Sequence, residues 1–217
     1  MTSRRAILFD LDGTLLDTLE DLADSTNATL AELGFPEHPV EAYKQFVGDG
    51  IENLVRRAMP QERPSEGLLA RGIELSRRQY AERWANKTRP YPGIPEFLDT
   101  LKHRHIAMAV LSNKPHEFTQ LCVTRLLPNW QFEAIQGATP ELPRKPDPGG
   151  ALAIAAKMGV APAEVLYLGD TNTDMQTAVR AGMFPVGALW GFRTAEELSA
   201  AGAAALARAP MDALAWF

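Results

Sequence analysis

Asp10 and Asp12 stand two residues apart directly after the apolar run Ala6-Ile7-Leu8-Phe9, and the chain continues Gly13-Thr14. Carboxylates at that spacing, just past a strand, point the same way out of the sheet edge. Two like charges at the mouth of an apolar wall are costly unless a cation or a reaction uses them. Further on, Ser112 follows the apolar run Ile106–Leu111, and Lys145 is stiffened by Pro146. Val165–Leu168 runs into Gly169-Asp170-Thr171-Asn172-Thr173-Asp174. Asp170 therefore leaves its strand where Asp10 does, and Asp174 falls in the first turn of a following helix. Each residue also has an ordinary structural use. Ser112 suits a helix N-cap with Pro115 at N1, and Asp147 with Pro148 suits the start of a helix at Gly149. Lys145 suits an exposed surface, and Asp174 a first-turn capping group. As a set they mean something else. Hard oxygen ligands without His or Cys beside them select Mg2+. A carboxylate nucleophile, a second carboxyl as acid and base, and a lysine suit phosphoryl transfer through an aspartyl phosphate.

The elements that must position these residues follow from the texture of the chain. From Asp17 to about Lys87 the periodicity is helical, with no strand. Leu19, Leu22, Ala23, Thr26 and Leu30 share one face of a helix that Gly34 and Pro36 stop. Two more helices are expected over about Ile51–Met59 and Leu68–Trp84. From Arg89 onward, short apolar runs at Ile106–Leu111, Phe132–Ile135, Val165–Leu168 and Phe184–Ala188 alternate with helix-length segments, among them His116–Leu126 and Gly149–Lys157. That rhythm is βαβ repetition, and it predicts an α/β fold: a Rossmann-like doubly wound parallel sheet. The first strand precedes the helical block and the others follow it. Residues 1–16 with 89–217 thus read as the α/β core, and 17–88 as an inserted α-helical domain, with Pro90, Pro92 and Gly93 at a stiff junction. Doubly wound sheets bind ligands at the carboxyl ends of their strands, where the residues above fall.

Composition sets bounds on the partners. The 217 residues are 46% hydrophobic, but no apolar stretch approaches the roughly 18 residues that span a membrane. The run after Arg4 and Arg5 is too short for a secretory signal. Cys122 is the lone cysteine, which excludes an internal disulfide and any multi-cysteine metal site. A net charge of −5 argues against generic nucleic-acid binding while leaving room for an anionic substrate in one cationic pocket. The expectation is a soluble cytoplasmic protein, monomer or homodimer, acting on a small metabolite without nucleic-acid or membrane partners. Gly48-x-Gly50 lacks the preceding strand and third glycine of a nucleotide fingerprint. His103 and His105 read as an exposed lead-in to a strand.

Asp10-Leu11-Asp12-Gly13-Thr14, Ser112-Asn113-Lys114, Lys145-Pro146 and Gly169-Asp170-x-x-x-Asp174 resemble, in order, the four motifs of the haloacid dehalogenase superfamily. The inserted helices are similar to that superfamily's small α-helical cap. Val47-Gly48-Asp49-Gly50-Ile51 and Arg89-Pro90-Tyr91-Pro92-Gly93 resemble its phosphoglycolate phosphatase branch. The resemblance implies that Asp10 is the nucleophile and a Mg2+ ligand. Asp12 would be the acid and base, and its backbone carbonyl a further ligand. Thr14, Ser112 and the Asn113 amide would hold the phosphoryl oxygens, and Lys145 would neutralise their charge. Asp170 would ligate Mg2+ directly, and Asp174 directly or through water. The superfamily's dehalogenases lack an aspartate at the position of Asp12, and its phosphonate-cleaving branch also departs there. The resemblance therefore implies a Mg2+-dependent phosphatase for a small phosphomonoester, with 2-phosphoglycolate the first candidate. A β-phosphoglucomutase-like phosphotransferase, a pyrophosphatase and a non-catalytic phosphate-binding domain remain as alternatives. Between Asn53 and Thr88, eight Lys/Arg face four Glu in the count. Arg56, with Arg57 beside it, is the candidate for a second anionic group on the substrate, and a solvated helix face is its ordinary use.

Overall fold

The structure, a computed structural model, describes residues 4–60 and 63–217. Its first strand, β1 (Ala6–Phe9), is buried throughout because it has a covered face on each side. Ala6 and Leu8 join a core cluster with Ile154, Ala155, Tyr167 and Ala178, which brings in helices α7 (Gly149–Met158) and α8 (Asn172–Ala181). Phe9 turns the other way and meets Phe97 of α5 (Ile94–His103) edge-on, ring centroids 6.1 Å apart. Two-faced burial explains why the sequence shows an unbroken apolar run rather than an alternating one.

Five more strands complete a six-stranded sheet: β2 (Ala107–Pro115), β3 (Ala134–Ala138), β4 (Val165–Gly169), β5 (Phe184–Ala188) and β6 (Ala205–Ala207). The order is β3-β2-β1-β4-β5-β6 and every pairing is parallel. This is the expected doubly wound sheet, and the order reverses between β1 and β4, the switch point at which such sheets bind ligands. Phe9 is in register with Val110 on one side and Leu168 on the other, so β1 and β4 end within a residue of each other while β2 runs on beside them.

Contacts divide the chain into two units, Met1–Leu16 with Pro90–Phe217, and Asp17–Arg89. The second unit holds α1 (Leu19–Glu32), α2 (Tyr43–Phe46), α3 (Ile51–Ala58) and α4 (Glu66–Arg83) around Leu30, Val55, Ala58, Met59 and Leu69. Gly34, at φ +76°, turns the chain out of α1 where the sequence placed its stop. Among the described residues no helix is long and apolar enough to cross a membrane.

Some local expectations shift. Among the described residues, the stretch from Asp17 to about Lys87 contains no strand beyond Asp17 itself, whose two-residue strand Leu16–Asp17 pairs with Arg89–Pro90. Strand β2 does not stop at Leu111: it continues through Ser112 to Pro115, which pairs with Ala138. Pro115, not Ser112, is the N-cap of α6 (His116–Leu126), because pairing with β3 outweighs the local capping preference. Likewise Pro148 takes the N-cap of α7, while Asp147 accepts the Gly149 N–H at 2.8 Å. β6 and the short α9 (Ala195–Ala200) had not been anticipated.

In the helical unit Asp21 is 1% exposed, and its carboxylate accepts from the Lys87 N–H (3.0 Å), the Thr88 N–H (2.8 Å) and the Thr88 hydroxyl (2.7 Å). It ties the first turn of α1 to the returning chain. Asp21→Ala strands these donors and should cost about 3 kcal/mol in denaturant unfolding, with Asp21→Asn losing less. A cost under about 1 kcal/mol would show that water replaces the clasp.

Candidate active site

The site lies wholly in the α/β unit, at the carboxyl ends of β1, β2 and β4. Asp10 extends the ladder one step past β1, its N–H donating to the Leu168 carbonyl at 2.9 Å. Asp10 Oδ1 accepts from the Leu11 N–H at 2.7 Å and from Lys145 Nζ at 2.9 Å. Lys145 Nζ also reaches Asp174 Oδ1 at 2.6 Å. Lys145, which the sequence allowed to be a surface residue, has a side chain only 2% exposed. Asn113 fixes it there: the Asn113 side-chain Nδ2 donates to the Lys145 carbonyl at 3.1 Å and Oδ1 accepts the Lys145 N–H at 2.9 Å. Asp170 takes the Thr14 hydroxyl at 2.8 Å and the Phe192 N–H at 2.9 Å. Asp174 Oδ2 accepts from the Thr171 N–H and hydroxyl at 3.0 and 2.6 Å, and Tyr167 donates to Oδ1 at 3.3 Å. The first-turn capping use of Asp174 and its place in the charged cluster are therefore both realised, one oxygen for each.

Two glycines make room for this. Gly13 turns the chain at φ +86°, and a Cβ there would meet Asp170 Oδ2 at 2.3 Å. A Cβ on Gly169 would lie 2.4 Å from Cβ of Asp174.

Electrostatically the site lacks positive charge. Asp10, Asp170 and Asp174 offer oxygens within 4.8 Å of one another, all buried, against one ammonium. Burial first, then Asp174, pushes the Asp10 carboxyl well above the usual range despite Lys145. Burial and Asp174 push Asp170 up to about 7. Burial opposes the Lys145 charge, but Asp10 and Asp174 outweigh it and hold the ammonium well above its ordinary value. A crowded, all-oxygen, charge-deficient set is the donor chemistry that Mg2+ fits.

A pH dependence follows. Below about pH 4 both the folded and the unfolded chain hold the Asp170 proton. As the pH rises, the unfolded chain releases it first and gains, so stability falls until the folded carboxyl also ionises near 7. Chelator-treated protein should melt at lower temperature at about pH 8 than at about pH 5, with Asp170→Asn flattening the slope. Identical slopes for the two proteins would assign the dependence elsewhere.

Asp10, Asp12, Thr14 and Asp170 follow the ends of β1 and β4, Ser112 and Asn113 lie near the end of β2, Asp174 stands on α8, and Lys145 comes from the loop before α7. The Thr14 hydroxyl donates to Asp170 at 2.8 Å, and its N–H to the Leu11 carbonyl at 3.3 Å. Arg56 belongs to the helical unit, on α3, paired with Glu52 at 2.9 Å, and Arg57 pairs with Asp49. The sequence reading gave no role to Lys114, whose Nζ bonds Asp12 at 2.8 and 3.1 Å, or to Thr171, Tyr167 and the Phe192 N–H. Lys114 was detectable in principle, two positions past Ser112 and so on the same side of an extended chain.

The chain matches the family of haloacid dehalogenase-like hydrolases over residues 7–188, a span that contains all four motifs. A phosphoglycolate phosphatase of Aquifex aeolicus is 34% identical over 188 residues, covering 87% of this chain and 86% of that protein. One from Pseudomonas putida is 34% identical over 203 residues, covering 92% and 74%. A haloacid dehalogenase-like family hydrolase from Streptococcus pneumoniae superposes with a TM-score of 0.89 at 25% identity, covering 100% of both chains. The strand-end aspartates and the buried lysine thus sit in a scaffold whose sequence and shape agree on one assignment: this chain belongs to the haloacid dehalogenase-like hydrolases.

Proposed function

We propose that this hydrolase is a Mg2+-dependent phosphatase of small phosphomonoesters, with 2-phosphoglycolate its first candidate substrate, working through an aspartyl phosphate on Asp10. The observation that carries the reading is the Asp10 carboxylate, held by Lys145 at 2.9 Å beside Asp170 and Asp174, with Asp12 two residues on. Asp10 attacks phosphorus, and Asp12 gives its proton to the leaving oxygen. Asp12 then takes a proton from water, and the hydroxide so formed displaces phosphate from Asp10. Both carboxyls are restored. Lys145 offsets the charge that Asp10 shares with the phosphoryl group, and Thr14, Ser112 and the Asn113 backbone N–H hold its oxygens.

Asp10 and Asp170 have acceptor positions to spare, and with the Asp12 carbonyl they would hold Mg2+ directly. Asp174 already accepts four hydrogen bonds, from Lys145, Tyr167 and Thr171 twice, so it acts through water. Bound Mg2+ neutralises the surplus carboxylate charge and polarises a phosphoryl oxygen. The names of the Aquifex and Pseudomonas relatives favour 2-phosphoglycolate. The helical insert serves in this reading as a cap that selects the leaving group and excludes water.

Phosphate release measured with Mg2+ on 2-phosphoglycolate, β-glucose 1-phosphate and pyrophosphate tests the reading. The first should be hydrolysed well and the others poorly. Conversion of glucose 1-phosphate to the 6-phosphate without phosphate release would establish a mutase instead. Because the exposed Arg56–Glu52 pair contributes little, Arg56 is cheaply diverted to a substrate anion. Arg56→Ala should raise KM for 2-phosphoglycolate by up to roughly tenfold and leave a neutral aryl phosphate unaffected. Equal effects on both would make Arg56 part of the fold only.

A further inference from the structure

Lys114 has its backbone fixed on both sides. Its N–H donates to Ser112 Oγ at 3.2 Å, and its carbonyl accepts from Thr119 Oγ1 at 3.1 Å. So anchored on β2, the side chain runs, 4% exposed, to Asp12, where Nζ donates to both carboxylate oxygens at 2.8 and 3.1 Å. Asp12 itself lies beyond β1, its backbone bridged to Leu16 across the turn at 13–15, which leaves its side chain unfixed by any strand. A carboxyl just past a strand end has rotamer freedom of its own, and an ammonium carried by a neighbouring strand and bonded to both oxygens removes it. Stability alone does not call for a buried lysine here, since a close-fitting apolar pair of similar volume would serve the fold as well. The site thus has two lysines with separate charges to hold, Lys145 on Asp10 and Lys114 on Asp12.

We propose that Lys114 is a positioning residue for the acid and base Asp12, holding that carboxyl on the side where the leaving oxygen departs. The inference rests on the phosphatase reading above. Lys114 acts through Asp12, not on the substrate. Its loss therefore falls on proton delivery to the leaving oxygen. An alkoxide leaving group needs that proton; p-nitrophenolate departs without it. Because kcat/KM reports the first P–O cleavage, the two ester classes should separate in that constant.

The experiment compares wild type, Lys114→Met, Lys114→Arg, Asp12→Asn and the Lys114→Met/Asp12→Asn double variant. Each is assayed with Mg2+ on 2-phosphoglycolate, ethyl phosphate and p-nitrophenyl phosphate, with thermal unfolding as the check on folding. Lys114→Met should lose about a hundredfold in kcat/KM on both alkyl esters and no more than about tenfold on the aryl ester. Lys114→Arg should recover part of the alkyl loss, since a guanidinium fork also reaches both oxygens. In the Asp12→Asn background the same Lys114→Met change should cost less than about threefold, because its partner is already disabled. Should the Met variant not fold, Lys114→Gln carries the same comparison. Equal losses on all three esters overturn the inference, as does full additivity with Asp12→Asn. A loss confined to 2-phosphoglycolate also overturns it, in favour of a direct contact with the substrate carboxylate. A wild-type protein that hydrolyses none of the esters removes the phosphatase reading and this inference with it, whereas the other adverse outcomes remove the inference alone.

Discussion

Asp10→Asn is expected to leave a folded protein whose turnover is lower by roughly a thousandfold or more, the usual consequence of deleting a covalent nucleophile. The substitution keeps the shape of the side chain and an oxygen for the Leu11 N–H, which Asp10 Oδ1 now accepts at 2.7 Å. Lys145 retains Asp174 at 2.6 Å, so no buried ammonium is left unpaired. Removing one of three mutually repelling carboxylates should hold the melting temperature level or raise it, since burial and Asp174 already work against an ionised Asp10. Activity falls and stability does not: that divergence separates a chemical role from a structural one. Acid-quenched protein incubated with labelled substrate should carry a hydroxylamine-labile phosphoryl group in wild type and none in the variant. Near-normal turnover in a preparation free of deamidated protein would sink the covalent mechanism.

Removal of divalent cations should abolish turnover while lowering the melting temperature only modestly, because the cluster serves the strand ends rather than the core. Asp10, Asp170 and Asp174 lie within 4.8 Å of one another and are answered by a single ammonium, so a cation has a place and an electrostatic reason to bind. Asp170 keeps free acceptor positions beyond its bonds from Thr14 and Phe192, whereas Asp174 has all four occupied. Asp170→Ala should accordingly raise the Mg2+ concentration for half-maximal activity by more than about tenfold, and Asp174→Asn by less. Isothermal titration of Mg2+ into the two variants gives the same ranking without reference to turnover. Full activity after exhaustive chelation, or a reversed ranking, would contradict the assignment of ligands.

What the sequence by itself determined was the set of strand ends and their charged residues. β1 and β4 are buried on both faces, so their runs Ala6–Phe9 and Val165–Leu168 had to be continuously apolar, and the carboxylates that follow mark where burial stops. Parallel crossover topology then carries such ends to one side of a sheet whatever their separation along the chain. Partnerships across that edge were not legible. Lys145 was compatible with an exposed surface until folding placed it between Asp10 and Asp174. Lys114 and Asp12, 102 residues apart, carry no local mark of their pairing. Nor do Thr14 and Asp170, 156 residues apart, carry any local mark of the bond between them. The three-residue β6 is too short and too alanine-rich to show a period, and it forms because β5 offers it an edge to pair with. Periodicity along a chain records which face is buried, since burial repeats with the backbone's own geometry. The direction in which one lysine reaches depends on neighbours that only the folded chain brings within 3 Å, and that was decided by tertiary structure alone.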